Sequence, residues 1–429
     1  MVVAARLVDH LHPLLAELKD APESEPAFWE RVAERRAPLV EPDPTSPEHS
    51  LVTYVFRDAD AGHVVVQPGF GESADNVMDR IPGTAAWHAA YRYRNDVRLQ
   101  YSFWPNLPPM TFRDTDETKW AQFRAFVREN TPSPDSNARE TFVSRAGEGR
   151  PDDVASILSL PNAPDQSIIE KRAGVARGWL EAQQFKSEVM GNERRVWVYT
   201  PPGYAPEGRS YPMIVAFDGG AALTMMPTHR LLDNLLADGR VAPAIAVFID
   251  NPTDTSRAVE LPCNEDFARF IETELVPWVR GKYAVSHEAS DGYVTGVSYG
   301  GLASLWMGYR LAHIFGNVLS QSASLWWGPG YDLEKPLPLQ RYEPEWLIEQ
   351  YAASPRLPLK LWMEVGLMEP LDRMVEPNRR LAAVLADKGY DLTYGEFAAG
   401  HDYALWRVTL ARALAKMLPA TEAAIGAPA

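Results

Sequence analysis

The segment Gly296-Val297-Ser298-Tyr299-Gly300-Gly301 carries the G-x-S-x-G pattern of a serine held in a sharp turn between a strand and a helix. Tyr293-Val294-Thr295 before it favour a strand, and apolar residues after it recur at helical spacing between positions 302 and 309. The flanking glycines have no side chains to block the approach of a substrate or of neighbouring backbone. The segment therefore predicts that Ser298 is a nucleophile at a strand-to-helix turn.

The chain around this segment alternates between strands and helices from about residue 180 onward. Such alternation is typical of a mainly parallel sheet with helices on both faces. The predicted strands are 195–199, 213–217, 244–248, 292–295, 359–364 and 392–394. The predicted helices are 266–280, 301–311, 378–388 and 402–417. We therefore predict an α/β-hydrolase domain over residues 166–429, with Ser298 at the carboxyl end of a middle strand, where open sheets bind their ligands.

A different pattern precedes this domain. Two apolar stripes at helical spacing within the first forty residues predict N-terminal helices. From about residue 51 to 104 the apolar period changes to two, and the breaks carry Asp, Gly, Pro and Asn, which predicts the short strands of a smaller β-sandwich. Residues 130–170 are rich in proline, glycine and charge and predict a linker along the surface. The first domain is thus predicted to span residues 1–165.

Bulk properties exclude several classes of protein. A length of 429 residues indicates more than one core, and 46% hydrophobic residues indicate a folded chain. Since 57 acidic residues outnumber 42 basic ones and give a net charge of -15, binding to nucleic acid or to anionic membranes is not expected. No stretch is apolar over the length of a membrane span. The lone Cys263, predicted to lie in the core, cannot form an internal disulfide, and the first residues lack a signal-peptide pattern, so a cytoplasmic location is expected.

Ser298 requires a base and an acid, because a serine hydroxyl is a weak nucleophile until its proton is taken. In an α/β-hydrolase the chain order is serine, acid, histidine, and the histidine follows the last strand. Among nine histidines, only His401 follows Ser298 at such a place. The acid that orients the imidazole should follow the preceding strand, where the chain offers Glu369 and Asp372. Glu369 is preferred because it comes three residues after the glycine that ends the strand, and Asp372 is the alternative.

The oxyanion that forms during attack requires preorganised hydrogen-bond donors, each worth about 3–4 kcal/mol when removed. One predicted donor is the backbone NH of Tyr299, the residue after the nucleophile. The second is the NH of Gly219 or Gly220, in the glycine-rich segment that follows an early strand. This chemistry needs neither a metal nor another cofactor, and none is expected.

Each of these residues also has a structural interpretation. Ser298 would also fit a catalytically inactive hydrolase, and Glu369 would also fit a helix cap or an ion pair with Arg373. Arg257 and Glu260 would also fit a structural ion pair. Two neighbouring aromatic residues would also fit the core, because tryptophan packs there more often than it forms a ligand platform: Trp326 and Trp327.

The chain resembles the enterochelin esterases. The nucleophile region, 296–305 followed by 315–327, is similar to that of the family. So are 194–204, 257–264, 366–370 and 400–402, and together these segments cover most of the C-terminal domain in the same order. In the N-terminal half, residues 80–88 and the strands around them resemble the accessory β-sandwich of the family. The linker sequence of the family is not recognisable at residues 145–152.

The resemblance implies hydrolysis of the ester bonds of a catecholate siderophore such as ferric enterobactin, a cyclic trilactone of acylated serines, with release of iron in the cytoplasm. It implies attack by Ser298 and proton transfer by His401, with iron present only as part of the small-molecule substrate. It also implies that Arg257, with Trp326 and Trp327, recognises the anionic complex. The alternatives are an esterase of the same fold that acts on feruloyl or acetyl esters, and a binding protein with a dead site.

Overall fold

The computed structural model describes residues 3–69, 71–111, 113–144 and 153–420. These residues form three β-sheets, two in the N-terminal part and one in the C-terminal part. The segment 145–152, where the linker sequence of the family is not recognisable, lies outside the described residues. Within the described ranges, every helix is too short or too polar to cross a bilayer.

The N-terminal part contains the predicted β-sandwich. Its strands are β1 (Ala4–Arg6), β2 (Leu39–Pro42), β3 (His49–Arg57), β4 (Val64–Gln67), β5 (Asp79–Arg80), β6 (Ala86–Arg94), β7 (Arg98–Pro105), β8 (Glu140–Ser144) and β9 (Asp153–Ser159). One sheet has the order β1-β6-β3-β2, with β5 paired to β6, and the other has the order β4-β7-β9-β8. The inward side chains meet in one apolar core, where the rings of Tyr54 and Tyr101 lie 4.9 Å apart.

Three helices accompany the sandwich: α1 (Pro13–Asp20), α2 (Glu25–Arg35) and α3 (Glu117–Glu129). The first two are the predicted N-terminal helices, and their apolar stripes form a second cluster that includes Leu15 and Val32. Val55 of β3 belongs to the same cluster, so the two helices cover one face of the first sheet. The spacing of apolar residues therefore predicted this part of the chain correctly.

The predicted surface linker over residues 130–170 is wrong for much of its length. β8 pairs with β9, and β9 pairs with β7, so both strands complete the second sheet of the sandwich. Pro161 and Pro164 follow β9 and do not interrupt it. These two prolines therefore lie beyond the end of the strand, where they do not disrupt its hydrogen-bond ladder.

The C-terminal part is built on one eight-stranded sheet. Its strands are β10 (Trp179–Ser187), β11 (Asn192–Thr200), β12 (Met213–Ala216), β13 (Ile245–Ile249), β14 (Gly292–Val297), β15 (Asn317–Gln321), β16 (Lys360–Gly366) and β17 (Asp391–Phe397). The strand order is β10-β11-β13-β12-β14-β15-β16-β17. β10 and β11 are antiparallel to their neighbours, and the other six strands run parallel. β14, which precedes Ser298, therefore lies in the interior of the sheet, as predicted.

Helices cover both faces of this sheet, which confirms the α/β-hydrolase fold. They are α4 (Gly219–Thr224), α5 (Thr228–Ala237), α6 (Asp254–Glu260), α7 (Glu265–Phe270), α8 (Val276–Lys282), α9 (Tyr299–Arg310), α10 (Trp346–Ala353), α11 (Glu376–Asp387) and α12 (Tyr403–Met417). A π-helical turn, Ile271–Leu275, joins α7 to α8, and a second one, Leu371–Val375, precedes α11. One apolar core includes Leu302 of α9 and Leu381 of α11, and the other includes Leu231 of α5 and Leu410 of α12. Cys263 packs, partly buried, against the first core.

The six predicted strands of this domain are all present, with ends that differ by a few residues. The predicted helix 266–280 is present as α7, the π-helical turn and α8. β10 and β15 were not predicted, and neither were the short helices α4, α5, α6 and α10. β10 escapes prediction because most of its side chains are exposed or half-buried and give no apolar pattern.

Candidate active site

The predicted nucleophile lies in the turn between β14 and α9. Ser298 has φ 58° and ψ -119°, a strained backbone conformation that places it in the lining of a cleft. Two glycines permit this turn. A Cβ on Gly296 would lie 2.5 Å from the backbone of Gly300, and a Cβ on Gly301 would lie 2.8 Å from the carbonyl oxygen of Gln321. The turn has the geometry that the G-x-S-x-G pattern predicts.

The predicted base and acid lie on neighbouring loops. His401 follows β17, Glu369 follows β16, and His401 Nδ1 lies 2.6 Å from Glu369 Oε2. The Glu369 side chain is fully buried, and its Oε1 accepts hydrogen bonds from the Ser322 hydroxyl at 2.5 Å and from the Gly366 NH at 2.9 Å. A carboxylate held in this way fixes the orientation of the imidazole. His401 Nε2 is then the nitrogen that can take a proton.

Asp372, the alternative acid, is exposed on the π-helical turn before α11, away from this arrangement. The predicted structural role of Glu369 as a partner of Arg373 is also wrong, since Glu369 contacts His401 instead. The guanidinium of Arg373 lies 4.5 Å from the ring of Trp326. The geometry therefore favours Glu369 over Asp372 as the acid.

Two further residues support the acid and the base. The indole NH of Trp406 donates to the Ser322 hydroxyl at 3.0 Å, and that hydroxyl donates to Glu369. The Trp406 ring also packs edge-on against His401, with 4.8 Å between ring centres. No sequence pattern predicted either residue, because Ser322 follows an unpredicted strand and Trp406 lies on a helix with no motif of its own.

Ser298 and His401 line the same cleft, which has a volume of about 630 Å³. The Ser298 hydroxyl lies 3.4 Å from the Ser324 hydroxyl, which lines the cleft as well. Catalytic hydrogen bonds are often long in an unliganded enzyme and tighten only when the substrate binds. The N-terminal domain forms one wall through Gln67 and Gln100, among other residues. No pattern in the sequence predicted that this domain reaches the cleft.

The predicted oxyanion donors differ in their surroundings. Tyr299 is the first residue of α9, so its NH has no acceptor within the helix and is directed out of the helix end. The NH of Gly220 donates to Asp250 at 3.3 Å, which argues against it as the second donor. Gly219 is buried against β13, where a Cβ would lie 3.0 Å from the backbone of Phe248. Of the two glycines, Gly219 remains the predicted donor.

Arg257 lines the cleft, and Asp218 holds its guanidinium. Nε and one terminal nitrogen of Arg257 donate to the two Asp218 oxygens at 2.6 and 2.7 Å, and the Tyr299 ring lies 5.6 Å away. Burial lowers the pKa of Arg257, but the Asp218 carboxylate has the larger combined effect and the pKa is raised. The predicted structural pair of Arg257 with Glu260 is wrong, because Glu260 binds the buried Arg194 at 2.9 and 3.0 Å.

The two tryptophans take different positions. Trp326 lines the cleft, where its ring lies 4.8 Å from that of Tyr331 and 5.9 Å from that of Tyr299. Trp327 packs against the core of the C-terminal domain instead, so its predicted place in the substrate site is wrong. The chain turns here after β15, where the Trp327 NH donates to the Ser324 carbonyl at 3.0 Å. Arg373, which sequence reasoning considered only as a partner of Glu369, joins Trp326 in the cleft.

Asp402 caps the start of α12 beside His401. Its Oδ1 accepts the Ala404 NH at 2.8 Å, and the residue is 5% exposed. Burial raises the pKa of Asp402 to about 7, and the backbone hydrogen bond from Ala404 and the neighbouring His401 oppose this only in part. The carboxyl group is therefore protonated in the folded protein at mildly acidic pH.

Asp402→Asn should gain stability relative to the native protein as the pH rises from about 4 to 7. An aspartate in the unfolded chain ionises near pH 3.9, so the folded state binds more protons over this interval and native stability falls with rising pH. Asparagine keeps the helix cap and does not ionise. Urea unfolding gives the free energy of unfolding of the variant minus that of the native protein. This difference should increase by about 2–4 kcal/mol between pH 5 and pH 8. A difference independent of pH would contradict the raised pKa.

The fold and the geometry of its cleft define an α/β-hydrolase that cleaves carboxylic esters. Comparison with protein families gives the same class. Residues 187–417 match a family described as putative esterase, and residues 51–169 match the N-terminal domain of enterochelin esterase. The first match covers more than half of the chain. The chain therefore belongs to the putative esterase family and, with its N-terminal domain, to the enterochelin esterases within it.

Relatives with curated names match over most of the chain. The iron(III) enterobactin esterase of Dickeya dadantii is 27% identical over 92% of this chain and 93% of its own length. The protein of the same name from Escherichia coli K12 is 29% identical over 79% of this chain and 80% of its own length. The crystal structure of the Shigella flexneri enterobactin esterase in the presence of enterobactin has a TM-score of 0.69 at 27% identity. The structural alignment covers 91% of this chain and 97% of the Shigella flexneri chain.

Proposed function

We propose that this protein hydrolyses the ester bonds of a catecholate siderophore trilactone, such as ferric enterobactin, and so releases iron. The observation that carries the proposal is the composition of the cleft. Ser298 and His401 face a wall that belongs to a domain of the enterochelin esterase type. The iron(III) enterobactin esterases among the relatives align with this chain over most of its length and support the same kind of substrate.

In the first half of the reaction, His401 Nε2 takes the proton of Ser298 Oγ while the hydroxyl attacks a lactone carbonyl. The Tyr299 NH donates to the oxyanion, and the Gly219 NH is the proposed second donor. The ester bond then breaks, and Nε2 returns the proton to the leaving serine hydroxyl. Because the substrate is a ring, the acyl group and the leaving alcohol remain in one molecule, which is now bound to Ser298.

In the second half, water attacks the ester on Ser298, and His401 again takes the proton. The bond between the acyl carbon and Ser298 Oγ then breaks, and Nε2 returns the proton to Oγ. Glu369 stabilises the imidazolium in both halves and does not itself become protonated. The product is a linear trimer, whose remaining esters can pass through the same steps. Iron enters as part of the substrate, and apart from the attacking water the proposed steps use groups that the chain supplies.

The cleft combines positive charge with aromatic surface. Arg373 lies over Trp326, and the ring of Tyr331 meets Trp326 edge-on. Burial lowers the pKa of Arg373, but a guanidinium keeps its charge in a protein. A ferric tris-catecholate is an anion with aromatic faces, which matches this chemistry. We therefore add Arg373 to Arg257 and Trp326 as a residue that recognises the substrate.

Arg373→Ala should raise the KM for a ferric trilactone about tenfold. The variant loses one charge-assisted contact worth about 1.5–3 kcal/mol, and water replaces part of that contact. The KM for a neutral p-nitrophenyl ester should change less than about threefold. Arg380→Ala is the matched control, because Arg380 is exposed and pairs with Glu345. Steady-state kinetics on both substrates measure these KM values. An equal rise in KM for both substrates would contradict a role of Arg373 in charge recognition.

Two rival functions can be distinguished by an ester hydrolysis assay and by labelling with a fluorophosphonate. Purified protein is mixed with ferric and iron-free trilactones, with a feruloyl ester and with an acetyl ester, and the products are followed by mass spectrometry. The proposal predicts linear fragments from a trilactone at a higher kcat/KM than any release from the other esters. Hydrolysis of the feruloyl or acetyl ester alone would support the general esterase. Failure of a fluorophosphonate to label the protein would support the dead binding protein.

We place this reaction in the cytoplasm. The chain has a single cysteine, Cys263, so it gains nothing from an oxidising compartment. Fractionation of cells that express the chain from its own gene should recover trilactone hydrolysis together with a cytosolic marker enzyme. Recovery of the activity in the medium or in the membrane fraction would overturn this placement.

A further inference from the structure

The loops that carry Glu369 and His401 complete the core of the N-terminal domain. Met368 precedes Glu369, Ala398 comes three residues before His401, and each of the two is 7% exposed. Both belong to the apolar cluster that fills the sandwich, and all other buried members of that cluster come from the N-terminal part. The acid and the base thus stand on loops that are anchored in the other domain.

The same loops touch the N-terminal domain through their backbones. A Cβ on Gly400 would lie 1.8 Å from the carbonyl oxygen of Gly69 and 2.8 Å from its Cα, so only glycine fits at position 400. A Cβ on Gly69, in turn, would lie 3.4 Å from Asp402 Oδ2. The residues on both sides of His401 are therefore in contact with one N-terminal loop, the loop that follows β4.

The two loops are also joined to each other. The Leu367 NH donates to the Phe397 carbonyl at 2.8 Å, and the Met368 NH donates to the Ala399 carbonyl at 3.0 Å. A Cβ on Gly366 would lie 2.5 Å from the Ala399 carbonyl oxygen, so the backbones are in close contact. The acid and the base are thus held as one unit.

Ser298 has a different support. Val297 before it and Leu302 after it are buried in the two cores of the C-terminal domain, on opposite faces of the sheet. The nucleophile is therefore fixed by its own domain, whereas the unit of Glu369 and His401 packs between the domains. Misplacement of a reacting group by about 1 Å costs about a hundredfold in rate, so the fit between the domains is expected to matter.

We infer that the N-terminal domain positions Glu369 and His401 against Ser298, so that the packing of the two domains sets the rate of catalysis as well as substrate binding. This inference rests on the proposed roles of Ser298 and His401. The alternative is a domain that only forms a binding wall. A binding wall would not affect the hydrolysis of an ester too small to reach it, whereas a misplaced base slows every substrate.

The test uses p-nitrophenyl acetate and three variants of the full chain. Met368→Ala removes an anchor of the acid loop, and Gly400→Ala forces the histidine loop away from Gly69. Leu15→Ala is the control, because Leu15 is fully buried in the separate cluster under α1 and α2. We expect kcat to fall at least tenfold in Met368→Ala and about a hundredfold in Gly400→Ala, with KM changed less than twofold. Leu15→Ala should keep its kcat, and Met368→Leu should restore it.

A fluorophosphonate should label Ser298 more slowly in the two loop variants, by about the same factors as the losses in kcat. Circular dichroism checks that each variant is folded. If Gly400→Ala does not fold, Met368→Ala alone tests the inference. Unchanged kcat and labelling in the loop variants, with a loss only in KM for the siderophore, would overturn the inference.

Failure of the proposed siderophore function can be distinguished from failure of the positioning inference. A native protein that cleaves p-nitrophenyl acetate but no trilactone would refute the siderophore substrate and leave the positioning test in force. A Ser298→Ala variant with full activity on p-nitrophenyl acetate would refute the nucleophile, and the inference with it. An inactive Ser298→Ala variant beside fully active loop variants would refute the positioning inference alone.

Discussion

Ser298→Ala should lower kcat for ester hydrolysis by at least about 10³-fold, because no other group in the proposed mechanism forms the covalent intermediate. The remaining activity over water would come from binding and from the oxyanion donors. Incubation of the native protein with a fluorophosphonate should add the mass of one phosphonyl group, and the adduct should map to the peptide that contains Ser298. The variant should gain no mass.

Ser324→Ala is the matched control, because the Ser324 hydroxyl lies 3.4 Å from that of Ser298 and lines the same cleft. This variant should still react with the fluorophosphonate and should keep its kcat to within about tenfold, the usual effect of one neutral hydrogen bond of about 1 kcal/mol. If labelling survives in Ser298→Ala and disappears in Ser324→Ala, the nucleophile is Ser324 and its assignment to Ser298 is wrong.

Glu369→Gln should lower kcat by about 10²–10⁴-fold with little change in KM, because a neutral amide cannot stabilise the imidazolium and does not hold the ring in the same tautomer. Glu369 is fully buried against His401, so no water molecule or other carboxylate can easily replace it. Single-turnover kinetics with a p-nitrophenyl ester would show the loss in the acylation step.

Asp372→Asn is the control for this assignment, since Asp372 is the other carboxylate on the same segment and is exposed. Its kcat should remain within about twofold of the native value, as for most exposed substitutions, whose effects stay within about 0.5 kcal/mol. A loss in Asp372→Asn that exceeds the loss in Glu369→Gln would reverse the choice of the acid. Ser322→Ala should cost less than Glu369→Gln, because the Gly366 NH still holds the carboxylate.

The residues that the sequence predicted well are those whose position follows from local pattern and chain order. Ser298 is recognisable because its turn needs glycines on both sides. His401 and Glu369 follow because parallel strands end at one edge of the sheet, so the loops after β16 and β17 must be neighbours. A local apolar period likewise predicted the strands of the sheet and the first two helices.

The features that the sequence did not reveal depend on contacts between distant segments. Asp218 binds Arg257 across 39 positions, and Trp406 reaches Ser322 across 84, with no pattern that links them in the chain. The spacing of Arg257 and Glu260 suggested a pair, but a short helix can direct two charged side chains to different partners. The contact of the N-terminal loop with Gly400 is hidden for the same reason, since a glycine in a sequence does not show which backbone approaches it.

Intact-protein mass spectrometry of a quenched reaction can show whether Ser298 opens a siderophore ring. Opening a ring loses no fragment, so the acyl-enzyme should be heavier than the free protein by the full mass of the trilactone. Digestion should place that adduct on the peptide that contains Ser298, and the adduct should decay as linear trimer accumulates. Turnover of the trilactone by the Ser298→Ala variant, with no adduct on the native protein, would show that Ser298 does not open the ring.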